Sequence, residues 1–465
     1  MRKLHQLPAP PAHDILGHVY YLKQTNIHQQ MIKWRDEYGP LYRLRLGAKK
    51  ALVITNPDVV KKVLSERPEK FRRISNINSV FEEAGMNGVF SSEGERWRYQ
   101  RKIIDQAFQP KNLKNFLPGM RQLTERFRVR LDKIAAGNEN VFLTDEFKHY
   151  TANIIALLAF GEDINIVGAG ENKLSASMRE IFPVLHQRCR SPIPFWRFFK
   201  TENDKRFDAA MKYLKETVLQ FISHQRQQLQ NHPHLHHEPE NILQVMLLEQ
   251  KNDAFLSDED IVANAVTLML AGEDTTANTL AWIVYLVSQR PDIEMKLLAE
   301  FNAFPLNQDK ESTWPLPQLP WLTAVMYEAM RLKPVAPQLY LEPHSDMTIN
   351  DIYVKRGTPV LLMLHGGGLS ESCFQDARSF TPERWIERDG ASFSNMLPFG
   401  SGPRLCPGRA LAMMEICMAL QALYSGFQVK ASQAAESVTE KFTFTMAPDN
   451  FRVRLQKRES RPEQL

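Results

Sequence analysis

From Ser257 to Arg290 the chain has no proline, and it is apolar on almost every side. Ile261, Val262, Val266, Leu268, Met269 and Leu270 precede the middle of this stretch, and Leu280, Ile283, Val284, Leu286 and Val287 follow it. Ser257 and Asp260 stand in the Ser-x-x-Asp order of a capping box, so the spacing predicts one helix beginning at Ser257. At ~1.5 Å per residue it would run roughly 50 Å, enough to cross a whole domain. A helix that is hydrophobic all round has to be covered all round. Glu273 and Asp274 at its centre rule out a lipid cover, because charged side chains are costly in the middle of a bilayer. The cover must be protein, and a chain of 465 residues, 43% of them hydrophobic, can supply it.

Those two acids belong to Ala271-Gly272-Glu273-Asp274-Thr275-Thr276, a polar break inside the apolar stretch. Glycine and threonine are poor helix formers, and buried carboxylates and hydroxyls need partners. The expectation is a helix bent or widened here, with the Thr275 hydroxyl competing for a backbone carbonyl and opening a polar notch.

Around this helix the pattern is mainly α with a minor β-sheet portion made from both ends of the chain. Residues 41–46 alternate, 47–50 turn and 51–54 follow, which reads as a hairpin. From Asn56-Pro57 the pattern is mostly helical as far as Leu332. Residues 347–349 and 352–354 then form a hairpin about Asn350-Asp351, 359–363 is another strand, and alternation returns at 442–445 and 451–455. The expected β-rich parts are about 41–54, 339–364 and 440–456. No linker and no repeat divides the chain, so the expectation is a single domain over 1–465 with a proline-rich lead-in over about 1–15. The His- and Gln-rich stretch 224–241 reads as a solvated loop.

Basic and acidic residues number 58 and 53, a net charge of +5 that is too mild to argue for nucleic acid. Cys189, Cys373, Cys406 and Cys417 form no C-x-x-C pair, so neither a disulfide framework nor a structural zinc site is expected. Residues 1–11 hold no apolar run fit for a signal peptide or a transmembrane anchor, and the expected location is cytoplasmic.

One of those cysteines lies in Phe399-Gly400-Ser401-Gly402-Pro403-Arg404-Leu405-Cys406-Pro407-Gly408, just before an apolar helical run. The glycines let the backbone pass close to a large flat ligand. A helix start beside the sulfur favours its thiolate form, and a thiolate so held suits a haem iron. The spacing F-x-x-G-x-R-x-C-x-G is the haem-ligand signature of the cytochrome P450 family, and this chain resembles that family. Other landmarks occur in the family's order: Trp97-x-x-x-Arg101, the A-G-x-D-T-T break, Glu328-x-x-Arg331, and Arg384 in Pro382-Glu383-Arg384-Trp385.

The resemblance implies the cytochrome P450 fold, with the long central helix over a haem b. Cys406 would be the axial ligand of the iron. Trp97, Arg101 and Arg404 would bind the haem propionates, and Ala271 would lie beside the ring. Asp274 and Thr275 would deliver protons to O2, the co-substrate, while Glu328, Arg331 and Arg384 would form a buried structural network. One family position departs: Leu341 stands where an Arg or His is common before an acid (here Asp346), and His344 is out of register. That propionate contact has no residue assigned to it.

By resemblance the activity is a monooxygenase reaction on an apolar organic substrate. Electrons would come from NAD(P)H through a separate ferredoxin or flavodoxin with its reductase, docked near Arg98, Lys102 and Arg409, since the chain ends soon after its last strands. The protein would act as a monomer. A peroxygenase or isomerase of the same fold, and a haem-based gas sensor, stay open beside it. Residues 74–90, 181–199 and those after Lys333 would line the substrate pocket. Residues 192–199 read as a lid, a membrane contact or a packed loop.

Overall fold

The structure is a computed structural model and describes all residues except 13–14, 23, 25, 166–172, 192, 253–255, 306–317, 388–392 and 460–465. Its axis is the helix Asp258–Val287. The Ser257 hydroxyl accepts from the Asp260 amide at 3.1 Å, and the Asp260 carboxylate takes the Ser257 amide at 3.2 Å, so both halves of the capping box form. Asp260 also accepts from Gln100 at 2.7 Å and from Arg96, which ties this helix start to the helix Gly94–Ala107.

The expected widening at 271–276 does not occur; the segment stays α-helical throughout. The reason lies in the neighbouring helix Leu143–Phe160. Its Thr151 hydroxyl donates to the Glu273 carbonyl at 2.9 Å, and its Ile155 fills the space over Gly272, where an added Cβ would meet Ile155 at 2.7 Å. The Thr275 hydroxyl does donate to the Ala271 carbonyl, at 2.8 Å, but as a second bond that leaves the helix intact.

The five-stranded sheet runs in the order Leu41–Leu46, Lys49–Ile54, Val360–Met363, Gln338–Pro343, Phe71–Arg73. Only the pairing of Lys49–Ile54 with Val360–Met363 is parallel, and it joins the two ends of the chain. Alternate residues feed opposite sides. Leu52 and Ile54 pack with Leu341 and Leu362 on one face, Ala51 and Val53 with Tyr42 and Leu361 on the other.

Several sequence expectations need correction. The lead-in carries a strand that the pattern did not reveal: Arg2–Lys3 pairs in parallel with Ile352–Val354, Arg2 meets Asp351 at 2.6 Å, and Leu7 is buried. Residues 443–445 are a turn: the strands are Thr439–Phe442 and Met446–Asp449, paired antiparallel. The alternation of Phe and Thr there mimics a strand but marks a reversal. Phe71–Arg73 and Phe427–Ala431 are strands that the sequence pattern did not reveal; the latter pairs with Val453–Lys457. The helix Glu202–Asn231 covers the first part of the His-rich stretch. Among the described residues no cluster of three or more metal-ligating side chains occurs.

Candidate functional site

The cysteine loop is shaped by its glycines. Gly400 and Gly402 hold φ of 74° and 70°, and an added Cβ at Gly402 would lie 2.5 Å from the Leu64 carbonyl oxygen. The Cys406 amide donates to the Phe399 carbonyl at 3.0 Å, closing the loop. Arg101 braces it from outside, donating to the Leu405 carbonyl at 2.6 Å and to Asp105 at 2.8 Å. Arg101 thus spends donors on the loop, in contrast to a role given wholly to a propionate. Burial pushes the Cys406 thiol up, while the Gly408 amide, Arg101 and Arg409 favour its thiolate.

Cys406 is exposed, yet dense protein surrounds it. Both hold only if its open face looks into an interior recess. Ala271 is likewise exposed and Thr275 partly so, on a helix that is otherwise almost wholly buried. Thr276 bonds to Glu415 on Arg409–Gly426, the helix that follows the cysteine, and this sets the two helices face to face. Ala271, Thr275 and Cys406 are thus open positions on two segments whose helices pack against each other.

Next to the cysteine loop lies a buried cationic cluster. Arg404 stacks over the Trp97 ring at 4.3 Å, donates to the Ser92 carbonyl at 2.8 Å and pairs with Glu93. Glu93 also accepts from Arg67 at 3.2 Å and from the Arg73 amide at 2.9 Å. Two buried guanidiniums, of Arg67 and Arg404, share the Glu93 carboxylate with the Arg73 amide, and the Arg73 guanidinium donates to the Phe90 carbonyl at 2.9 Å. Among the described residues Arg67 Nε, Arg73 Nε and Arg404 Nε and Nη1 have no hydrogen-bond partner. Burial, then repulsion from Arg67, pulls Arg404 down to about 9; burial pulls Arg73 down to about 10 by the same route. Unpaired buried donors of one sign call for anionic acceptors. This donor set fits a group that carries two carboxylates on a flat apolar body.

Leu341 is wholly buried, and its partner across the strand ladder is Arg73. His344 is exposed, and Asp346 is bonded to Tyr353 and the Arg356 amide. Arg67, Arg73 and Glu93 carry no sequence signal of their own. Only pairing of remote segments brings them together.

Glu328 and Arg331 on the helix Pro320–Leu332 are almost wholly buried and paired at 2.7 Å. Arg384 reaches the same carboxylate at 3.2 Å, Trp385 Nε1 donates to it at 2.8 Å, and so does the Thr381 amide at 2.9 Å. The remaining donors of Arg331 go to the carbonyls of Gly368, Ala377 and Ser379. Every charge is met, as a buried pair requires.

Among the described residues the Asp274 carboxylate makes no hydrogen bond to the Thr275 hydroxyl. It pairs with Lys148 at 2.8 Å and accepts from the Thr445 hydroxyl. Its neighbour Glu273 is buried, and burial pushes that carboxyl up to about 8. Of the three expected docking cations, Arg98 is held by Glu69 and Glu95, while Lys102 and Arg409 are exposed. Phe81, Phe90, Phe182 and Phe444 form an aromatic group, with Phe444 centred 5.2 Å from Phe182 and 6.1 Å from Phe81. Pro192 lies outside the described residues. After it, Ile193, Phe195, Phe198 and Phe199 are exposed, and Trp196 is buried with its Nε1 bonded to Glu83. Among the described residues no helix is long and apolar enough to cross a membrane.

Comparison with known proteins places this geometry. The cytochrome P450 family profile matches residues 7–455. A self-sufficient cytochrome P450 monooxygenase of Aspergillus niger is 25% identical over 98% of this chain, which spans 42% of that protein's length. Cytochrome P450 94A1 of Vicia sativa is 25% identical over 97% of this chain and 91% of its own. The mitochondrial cholesterol side-chain cleavage enzyme of Homo sapiens is 24% identical over 96% of this chain and 88% of its own. A match that runs from Leu7 almost to the last strand means that the chain belongs to the cytochrome P450 family.

Proposed function

We propose that this protein is a haem-thiolate monooxygenase that inserts one oxygen atom of O2 into an apolar organic substrate. The family implies haem as cofactor, and the observation that carries the reading is a loop-held thiol that is open. Support comes also from Ala271 and Thr275, open on an otherwise buried helix, and from unpaired buried guanidinium donors that would meet the haem propionates. When bound, the haem supplies activation of O2 at a metal centre that a thiolate enriches in electron density.

The chain's own residues do the rest. Cys406 presents the sulfur, and the Gly408 amide together with Arg101 and Arg409 favours its anionic form. Arg404 and Arg73, with the Trp97 ring against Arg404, would hold the two propionates. The Thr275 hydroxyl, parked on the Ala271 carbonyl, turns to hold oxygen and water, and Asp274 passes protons inward. Electrons arrive from separate donor proteins through the exposed Lys102 and Arg409 side. The Phe81, Phe90, Phe182 and Phe444 group selects greasy substrates, since aromatic walls reward burial of apolar surface.

The test is optical. Purified protein loaded with haem, reduced and placed under carbon monoxide should show the red-shifted band of a thiolate-ligated iron, and Cys406→His should lose it. A wild type without that band ends the proposal.

A further inference from the structure

Asp274 is gripped from two sides. Lys148 Nζ lies 2.8 Å from Oδ1, and the Thr445 hydroxyl donates to Oδ2. Thr445 is itself held, since Asn278 Nδ2 donates to Thr445 Oγ1 at 2.9 Å. A hydroxyl has one proton, so with an amide donating to its oxygen that proton goes to the carboxylate. Each carboxylate oxygen then has its own partner. Asp274 is only 6% exposed, so bulk water does not stand in for either contact.

Thr445 belongs to the three-residue turn, 443–445, that joins Thr439–Phe442 to Met446–Asp449. Asp274, Asn278 and Trp282 share one face of the central helix at i, i+4 and i+8, and all three bond this hairpin; Trp282 Nε1 donates to the Met446 carbonyl at 3.1 Å. At the apex Phe444 holds φ of 100°, which non-glycine residues rarely adopt. Its ring packs against Phe182 at 5.2 Å, Phe81 at 6.1 Å and Phe90 at 6.3 Å. One residue of the turn faces the aromatic group, and the next one grips the acid.

We infer that Thr445 is a positioning residue for Asp274, and that the Phe444–Thr445 turn couples filling of the aromatic pocket to that acid. The inference rests on the role proposed above for Asp274. Phe444 and Thr445 share a peptide unit, so a ligand that displaces the ring pulls Thr445 with it. Asp274 is then left on Lys148 alone and free to swing. Coupling of this kind is reciprocal, so loosening the acid must also loosen the turn.

That reciprocity gives the experiment. Amide hydrogen exchange of residues 439–449 is followed by mass spectrometry in the haem-loaded protein, after the ferrous–CO band of each variant has been recorded. Thr445→Val removes the hydroxyl and keeps the shape, Thr445→Ser keeps the hydroxyl, and Asp274→Asn removes the charge. Loss of a hydrogen bond to a charged group should speed exchange roughly tenfold in Thr445→Val and in Asp274→Asn. The double variant should go no further, and Thr445→Ser should match wild type. With dodecanoic acid as probe substrate and a surrogate redox chain, peroxide released per O2 consumed should rise in Thr445→Val and not in Thr445→Ser. Unchanged exchange, additive effects, or no difference in peroxide would overturn the inference. An absent CO band in wild type would instead sink the haem-thiolate reading, with the exchange comparison still standing.

Discussion

Thr275 shows how much a single side chain can hold in reserve. Its hydroxyl donates to Ala271 within its own helix at 2.8 Å, and the residue is partly exposed on an otherwise buried helix. That bond is an extra one on a carbonyl, so removing it should leave the helix standing. For Thr275→Ala we expect O2 consumption to continue while product falls and peroxide rises, measured together in one vessel. Equal product per O2 in the two proteins would remove Thr275 from proton delivery. The arginines make the opposite point. Arg404 could be singled out from its place two residues before Cys406, whereas Arg67, Arg73 and Glu93 were invisible until the fold collected them. A guanidinium in a sequence is an ordinary surface group; only burial without enough carboxylate makes it a binding group.

At the scale of elements, the start of the central helix is the best-specified junction. Burial alone would push the Asp260 carboxyl up, but bonds from Ser257, Arg96 and Gln100 outweigh it and hold the group below its usual range. A carboxyl depressed in the folded state adds stability above its unfolded pKa of about 3.9, and that stability is lost as pH falls through the folded value. Asp260→Asn should therefore lower unfolding stability near neutral pH by roughly 1–2 kcal/mol. The gap to wild type should close below about pH 4, as read by denaturant titration at several pH values. A gap that persists in acid would assign the loss to packing. The capping box was legible because its residues are three apart in the chain. The unbroken α-helical course at 271–276 was not, because Thr151 and Ile155 of another helix support it.

For the whole molecule, two buried acids weaken the fold towards alkali. Burial pushes Glu415 up to about 8 against one bond from Thr276, and Glu273 is pushed up to about 8 as well. Each is neutral in the fold at pH 6 but ionised in the unfolded chain, whose glutamates titrate at about 4.3. Between those values the unfolded state binds fewer protons at these two groups, so their contribution to stability falls as pH rises from about 4 to about 8. Glu415→Gln should flatten that slope, matching wild type near pH 4 and exceeding it by on the order of a few kcal/mol near pH 8. A variant no more stable at pH 8 would place the ionised group in contact with water.

The sequence by itself determined what is written in short-range patterns. These are the apolar helix from Ser257, the glycine-shaped loop around Cys406, the Glu328 and Arg331 pair one turn apart, and hence the family and its class of cofactor. Tertiary structure alone decided what depends on which remote segments meet. It set Arg73 across the ladder from Leu341, Glu93 between the Arg67 and Arg404 guanidiniums, and Thr445 against Asp274. The physical reason is one of range. Helix caps and turns are settled by neighbours in the chain, whereas the satisfaction of a buried charge is settled by whatever the fold packs against it.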